Sequence, residues 1–253
     1  MGDSIMLEAC VDSVESAVAA TMGGAMRLEL CSNLVIGGTT PGPWLFREIR
    51  KKTDIPVHVL IRPRFGDFCY TESEFEEMRS AVRMFRELGA EGAVFGVLKP
   101  DGRLDTARMA LLKEAAGDMS VTLHRAFDVC SDPFDTLEEA VELGINTILT
   151  SGQKDTCTEG ADLLRKLAER SAGRIVIQAG SGVNADVIRN LYRRTEIRAY
   201  HMSGKVTLDS AMTYRKEGVH MGLPSLSEYE IWRTDEKKIR EAREILDMYA
   251  GQE

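Results

Sequence analysis

Two short stretches near the start of the chain, Met6-Leu7-Glu8-Ala9-Cys10 and Arg27-Leu28-Glu29-Leu30-Cys31, each place an acid and a thiol two residues apart. On an extended strand that spacing puts both side chains on one face, with the apolar residues on the other. Glu8 and Glu29 are carboxylates that could serve acid–base work, and Cys10 and Cys31 are thiols that could hold a soft ion such as Cu(I). "HVLIRPRFGDF" carries His58, Arg62 and Arg64, a place to bind carboxylate or phosphate, although an arginine there could equally pair with Asp67. "TLHRAFD" brings His124, Arg125 and Asp128 together, an imidazole that a carboxylate could orient as general base or metal ligand. "LTSGQ" (with Ser151), "QAGSGVN" (with Gly180, Ser181 and Gly182) and "HMSGK" (with His201 and Ser203) offer small residues and backbone N–H groups of the kind that cradle a phosphate at a helix N-terminus.

These residues need elements to position them, and the sequence supplies a regular series. Eight short apolar or β-branched runs recur: 5–9, 27–31, 57–61, 93–98, 121–124, 147–150, 174–179 and 198–202. Between them lie helical signals, opened by Ser13, Thr71, Asp105, Asp132-Pro133, Thr158 and Asn184, several ending in glycine at Gly89, Gly117 and Gly144. Strand and helix alternating eight times implies an α/β fold: a TIM-type (β/α)8 barrel, a single domain over residues 1–253. An open doubly wound sheet is the alternative, weakened by the lack of a G-x-G-x-x-G turn after the first strand. Residues 206–232 show no helical period and read as an irregular excursion before a last helix over 235–249.

Parity along the strands then sorts the side chains, because residues facing the helices must be apolar. Leu7, Ala9, Leu28, Leu30, Val57, Val59 and Ile61 take the outward positions. Glu8, Cys10, Arg27, Glu29, Cys31, His58, Arg62, Thr122, His124, His201 and Ser203 are left inside or at the C-terminal rim, where barrel sites lie. Acids and bases in that interior could simply neutralise one another, but buried charge is costly where apolar filling would pack as well. Cys10 and Cys31 fall at equivalent levels of neighbouring strands about 4.8 Å apart.

A net charge of −8 without a long Lys/Arg run argues against nucleic acid or an anionic membrane as partner, leaving a small ion or a small anionic molecule. No window approaches the roughly 20 apolar residues of a membrane span. Five cysteines, an odd number without C-x-x-C spacing, fit reduced thiols, and the expected location is cytoplasmic.

Taken together, "LEACVDSVESAVAATMGGAMRLELCSNLVIGGTTP", "IPVHVLIRPRFGDFCY", "EGAVFGVLKPDGRLD", "VTLHRAFDVCSDP", "ILTSGQ" and "IVIQAGSGVN" resemble the CutC family of copper homeostasis proteins over about residues 5–210. The resemblance implies a TIM-type barrel, a homodimer or homotetramer, and Cys10 and Cys31 as Cu(I) ligands. Two positions depart from the family pattern: Met26 stands where an Asp is usual, and Ser181 where a Gly is frequent. Two functions follow. One is copper homeostasis through Cu(I) on Cys10 and Cys31. The other is an enzyme on a small anionic or phosphorylated substrate, with Glu8, Glu29, His124 or Asp128 in acid–base roles and Arg27, His58, the arginines at 62, 64 and 125, Ser151, the Gly180–Gly182 turn, His201 and Ser203 binding the anion.

Overall fold

The computed structural model describes residues 4–222 and 226–251. Its strands are β1 (Met6–Val11), β2 (Arg27–Leu30), β3 (Val57–Leu60), β4 (Gly92–Phe95), β5 (Ser120–Leu123), β6 (Thr147–Thr150), β7 (Val176–Ala179) and β8 (Ala199–Met202). Each pairs in parallel with its neighbours, and β1 pairs with both β2 and β8, so the sheet closes into a barrel and the open-sheet alternative falls away.

The helices are α1 (Val14–Met22), α2 (Pro43–Arg50), α3 (Glu72–Glu87), α4 (Thr106–Ala116), α5 (Pro133–Glu142), α6 (Ala161–Ser171), α7 (Ala185–Thr195) and α8 (Glu236–Ala250). Short polar side chains start most of them: Ser13, Asp105, Asp132, Asn184 and Asp235 each accept a backbone N–H of the first turn. Thr71 and Glu74 form a reciprocal capping box at the head of α3. α2 has no counterpart in the sequence reading; its eight residues begin at Pro43 without a side-chain cap, so neither length nor capping announces it.

Fully buried Leu7, Leu28, Val57, Val59, Ala93, Val121, Ile148 and Ile188 belong to one hydrophobic core between barrel and helices. A second, small cluster of Cys31, Leu60 and Val94 lies inside the barrel, as strand parity requires. The stretch after β8 is less irregular than its sequence suggests. β9 (Lys205–Asp209) and β10 (Glu230–Thr234) form an antiparallel pair, and α8 follows, packed against α1 and α7. Residues 223–225, part of that excursion, lie outside the described residues.

Candidate functional site

The barrel's polar contents form two groups, of which Cys10, Glu29 and His201 from one and Arg62 and His124 from the other line a cavity of about 580 Å³ at the C-terminal end of the strands. The first group is built on β1, β2, β7 and β8. Glu8 is 1% exposed; its carboxylate accepts Arg27 Nε at 2.5 Å and Gln178 Nε2 at 2.9 Å, and lies 2.7 Å from His201 Nδ1. His201 presents its other nitrogen to Glu29 at 3.5 Å. Ligand atoms of Cys10, Glu29 and His201 all fall within 4.8 Å of one another, the only such trio among the described residues.

Register decides this grouping. Barrel strands are staggered, so Cys10 stands opposite Glu29 and Glu8 opposite Arg27. Cys10 and Cys31 are therefore offset by one inward position, which corrects the equal-level placement expected from sequence. Cys31 is 1% exposed, packs on Leu60 and Val94, and points its thiol toward the Val11 carbonyl at 3.6 Å. Burial first, then the neighbouring Cys10 and Glu29, push its pKa well above the usual thiol value.

Charge in this group divides unequally. Burial alone would raise the Glu8 pKa, but Arg27 and His201 hold it far below the carboxylate range. Burial raises Glu29 to about 7, where the attraction of His201 fails to offset it and the Glu8 charge adds to it. Burial opposes protonation of His201, yet Cys10, Glu29 and Glu8 raise its pKa well above the ordinary value.

The second group lies on β3, β5 and their loops. His58 is 3% exposed and its ring rests over Gly92, where an added Cβ would come within 2.4 Å of it. Burial and Arg27 bring its pKa down to about 4. His124 Nδ1 accepts the backbone N–H of Ala126 at 3.2 Å, and burial with Arg62 lowers its pKa to about 3, leaving a neutral ring. Gly96 makes room for that ring, since a Cβ there would meet His124 Cε1 at 2.9 Å.

Other expected pairings are replaced. Asp128 does not orient His124. It accepts Thr150 Oγ1 at 2.5 Å, Ser151 N at 3.0 Å and Gln153 N at 3.1 Å, and pairs with Arg125 Nε at 2.7 Å, so Asp128, Arg125 and Ser151 clamp the loop after β6. Arg64 turns away to Asp67 at 2.9 Å and Glu74 at 2.6 Å, the pairing that sequence had left open. Arg27 pairs with Glu8 inside the barrel.

In the glycine turn, Gly180 N–H bonds Thr150 O, and the first turn of α7 is capped by Asn184. Ser181, Gly182, Ser203 and Lys205 line the cavity mouth. Ser181 sits at φ 72°, a left-handed conformation that favours glycine, and its hydroxyl donates to Asp155 O at 2.6 Å. Gln178 was missed from sequence; a lone amide between Ile177 and Ala179 in an apolar strand was the available signal. Phe68 and Trp232, which wall the cavity, come from loops or hairpin that strand parity does not reach.

A closed (β/α)8 barrel with ionisable groups gathered at the C-terminal end of its strands defines a TIM-type barrel protein with its candidate site in the usual position. Residues 5–206 match the CutC family, and the chain belongs to that family. It is 44% identical over 243 residues to a CutC family protein of Bacteroides fragilis, covering 95% of this chain and 97% of the relative. It is 41% identical over 239 residues to the human copper homeostasis protein cutC homolog, covering 94% and 88%. A CutC structure from Streptococcus agalactiae superposes with a TM-score of 0.74 at 30% identity, over 79% of this chain and 98% of that one. Phosphoribosylanthranilate isomerase of Pyrococcus furiosus, at 15% identity and TM-score 0.57 over 96% and 99%, shares the fold alone. No helix among the described residues is long and apolar enough to cross a membrane.

Proposed function

We propose that this chain is a copper homeostasis protein that takes Cu(I) at the C-terminal end of its barrel, with Cys10 and His201 as the leading donors and Cys31 as a neighbouring thiol. The observation that carries the reading is the convergence of Cys10, His201 and Glu29, with Glu8 behind His201. Thiolate and imidazole suit Cu(I) better than a carboxylate does. Glu8 holds Nδ1 of His201, as an outer carboxylate commonly fixes a metal-bound imidazole, so that Nε2 would be the nitrogen offered to an ion. Glu29, poised near neutrality, is suited to receive the proton that His201 or Cys10 must release on metal binding. The names of the human relative and of the Streptococcus agalactiae structure, both copper homeostasis proteins, support copper as the cargo.

The test is an anaerobic titration of reduced protein with Cu(I) against a chromophoric chelator, beside Cys10→Ser, His201→Gln and Cys31→Ser. About one copper per chain is expected for the wild type, with the largest losses at Cys10 and His201. Equal titration of wild type and all three variants would sink the proposal.

A second reading, acid–base enzyme, draws on the opposed displacement of the Glu8 and Glu29 pKa values, since paired carboxylates driven apart are a common acid–base arrangement. It requires turnover of a small substrate that Glu29→Gln abolishes.

A further inference from the structure

The cavity is far larger than one ion needs and falls within the ~300–1,000 Å³ typical of small-molecule sites. One corner of it is built from a connected series of side chains on β1 and β8. Cys10 is 7% exposed and lines the cavity together with His201, whose side chain is 12% exposed. Their ligand atoms lie within 4.8 Å of each other, and the thiol is a hydrogen-bond partner of the imidazole. On its far side the ring is held by Glu8, whose Oε1 stands 2.7 Å from Nδ1, which leaves Nε2 toward Cys10 and Glu29. Gln178 at 2.9 Å and the Arg27 ion pair anchor both oxygens of Glu8 in turn.

The other thiols are placed differently. Cys31 turns to the Val11 carbonyl, Cys130 meets the Gln153 amide, and burial pushes the pKa of Cys31, Cys130 and Cys157 up. A nucleophile within reach of a base that a third group orients is the arrangement of covalent catalysis, recognised by geometry and not by chain order. Here closure of β8 onto β1, with Glu8 opposite His201, assembles it. Ser203 lies one residue beyond the Ala9–Met202 pair and lines the same cavity; its hydroxyl accepts the Lys205 N–H at 3.4 Å, a bond that does not spend its own proton. Leu34, Leu60, Phe68 and Leu149 give the cavity an apolar wall.

We propose that Cys10 and His201 of the metal-free protein catalyse acyl transfer from a small carboxylic ester or thioester, with Cys10 as nucleophile and Glu8 as the positioning residue behind His201. Cys10 Sγ bonds to the carbonyl carbon with the proton of the pair on His201 Nε2, and Ser203 is placed to donate to the oxygen that becomes negative. The bond to the leaving alcohol or thiol then breaks, and that group takes the proton from Nε2. Water attacks the resulting thioester and gives one proton to Nε2; the carboxylic acid leaves, and that proton restores the Cys10 thiol. The activity belongs to the protein without copper, since an ion on Cys10 would take the attacking electron pair, so it stands apart from the copper reading.

The experiment uses the full-length chain carrying Cys69→Ser, reduced and stripped of metal with a Cu(I) chelator, and p-nitrophenyl acetate as probe. Stopped flow follows release of p-nitrophenolate, peptide mass spectrometry locates the acetyl group, and circular dichroism checks that each variant is folded. A burst of about one equivalent per chain is expected, with the acetyl group on Cys10, followed by slower steady release. Cys10→Ser should lose the burst, and His201→Gln should slow it at least about hundredfold, the scale of general acid–base catalysis. Glu8→Gln should lower the burst rate at least about tenfold while keeping its amplitude, whereas a loss of folded protein would lower the amplitude. Acetyl groups scattered over lysines, a burst that persists in Cys10→Ser, or an equal rate in His201→Gln would each overturn the assignment. No burst beside normal copper uptake sinks this activity alone; a Cys10 burst in a chain that takes no copper upholds it and sinks the copper reading.

Discussion

Replacing Glu8 by Gln tests the barrel's interior at its centre. The carboxylate is 1% exposed and engages three partners through two oxygens: Oε1 faces Gln178 Nε2 and His201 Nδ1, and Oε2 faces Arg27 Nε. An amide keeps the shape, but whichever way it is turned its NH2 meets at least one of those N–H groups, and Arg27 loses its only anionic partner among the described residues. Breaking a buried pair in this way costs about 3–5 kcal/mol. For a chain of this size that lowers the melting temperature by roughly 6–20 °C, at ~2–4 °C per kcal/mol. His201 also loses the group that fixes its ring, so Cu(I) affinity should fall about 10–100-fold, as when an outer carboxylate is removed from a metal-bound histidine. Calorimetric unfolding and competitive Cu(I) titration of the same sample read both effects. A loss of under ~1 kcal/mol with unaltered copper affinity would refute the view that Glu8 organises this site.

Three further outcomes follow from the same geometry. Asp128→Asn should destabilise by about 2–4 kcal/mol, because an amide confronts the N–H and O–H donors that Asp128 accepts, while Cu(I) affinity stays near wild type; loss of copper binding with normal stability would contradict the clamp role. Gly92→Ala should displace the His58 ring and cost about 1–3 kcal/mol, seen as a shift of the His58 imidazole signals; unchanged signals would mean the ring does not rest there. Glu29 has its folded pKa raised to about 7 from 4.5, so the folded protein binds more protons than the unfolded chain across that interval, and stability falls as pH rises through it. The expected loss is about 3 kcal/mol, and Glu29→Gln should flatten that segment of the urea-denaturation profile; an unchanged slope would reject the assignment.

Much of this architecture was legible before the structure. The strand runs fall within a few residues of β1–β8, and the inward set of Glu8, Cys10, Glu29, His58, His124 and His201 follows from period-two parity, because only the opposite face can meet the helices. Helix starts at Ser13, Thr71, Asp105, Asp132 and Asn184 were visible because capping is a local interaction. α2 was not, because its short segment lacks a side-chain cap.

What the sequence by itself determined, then, is which face of each strand every ionisable group occupies, and hence that acids, thiols and imidazoles meet inside one barrel. Pairing among them belonged to the tertiary structure. The stagger of the closed sheet sets Cys10 against Glu29 rather than level with Cys31, and it delivers His201, 193 residues further along, to Glu8. Loop folding, likewise, gives Asp128 to the β6 loop, Arg64 to Asp67 and Glu74, and Arg62 to the Gly38 and Gly66 carbonyls. The physical reason is that side-chain alternation has a range of two residues, whereas register and loop contacts depend on closure of the whole ring, which no local stretch encodes.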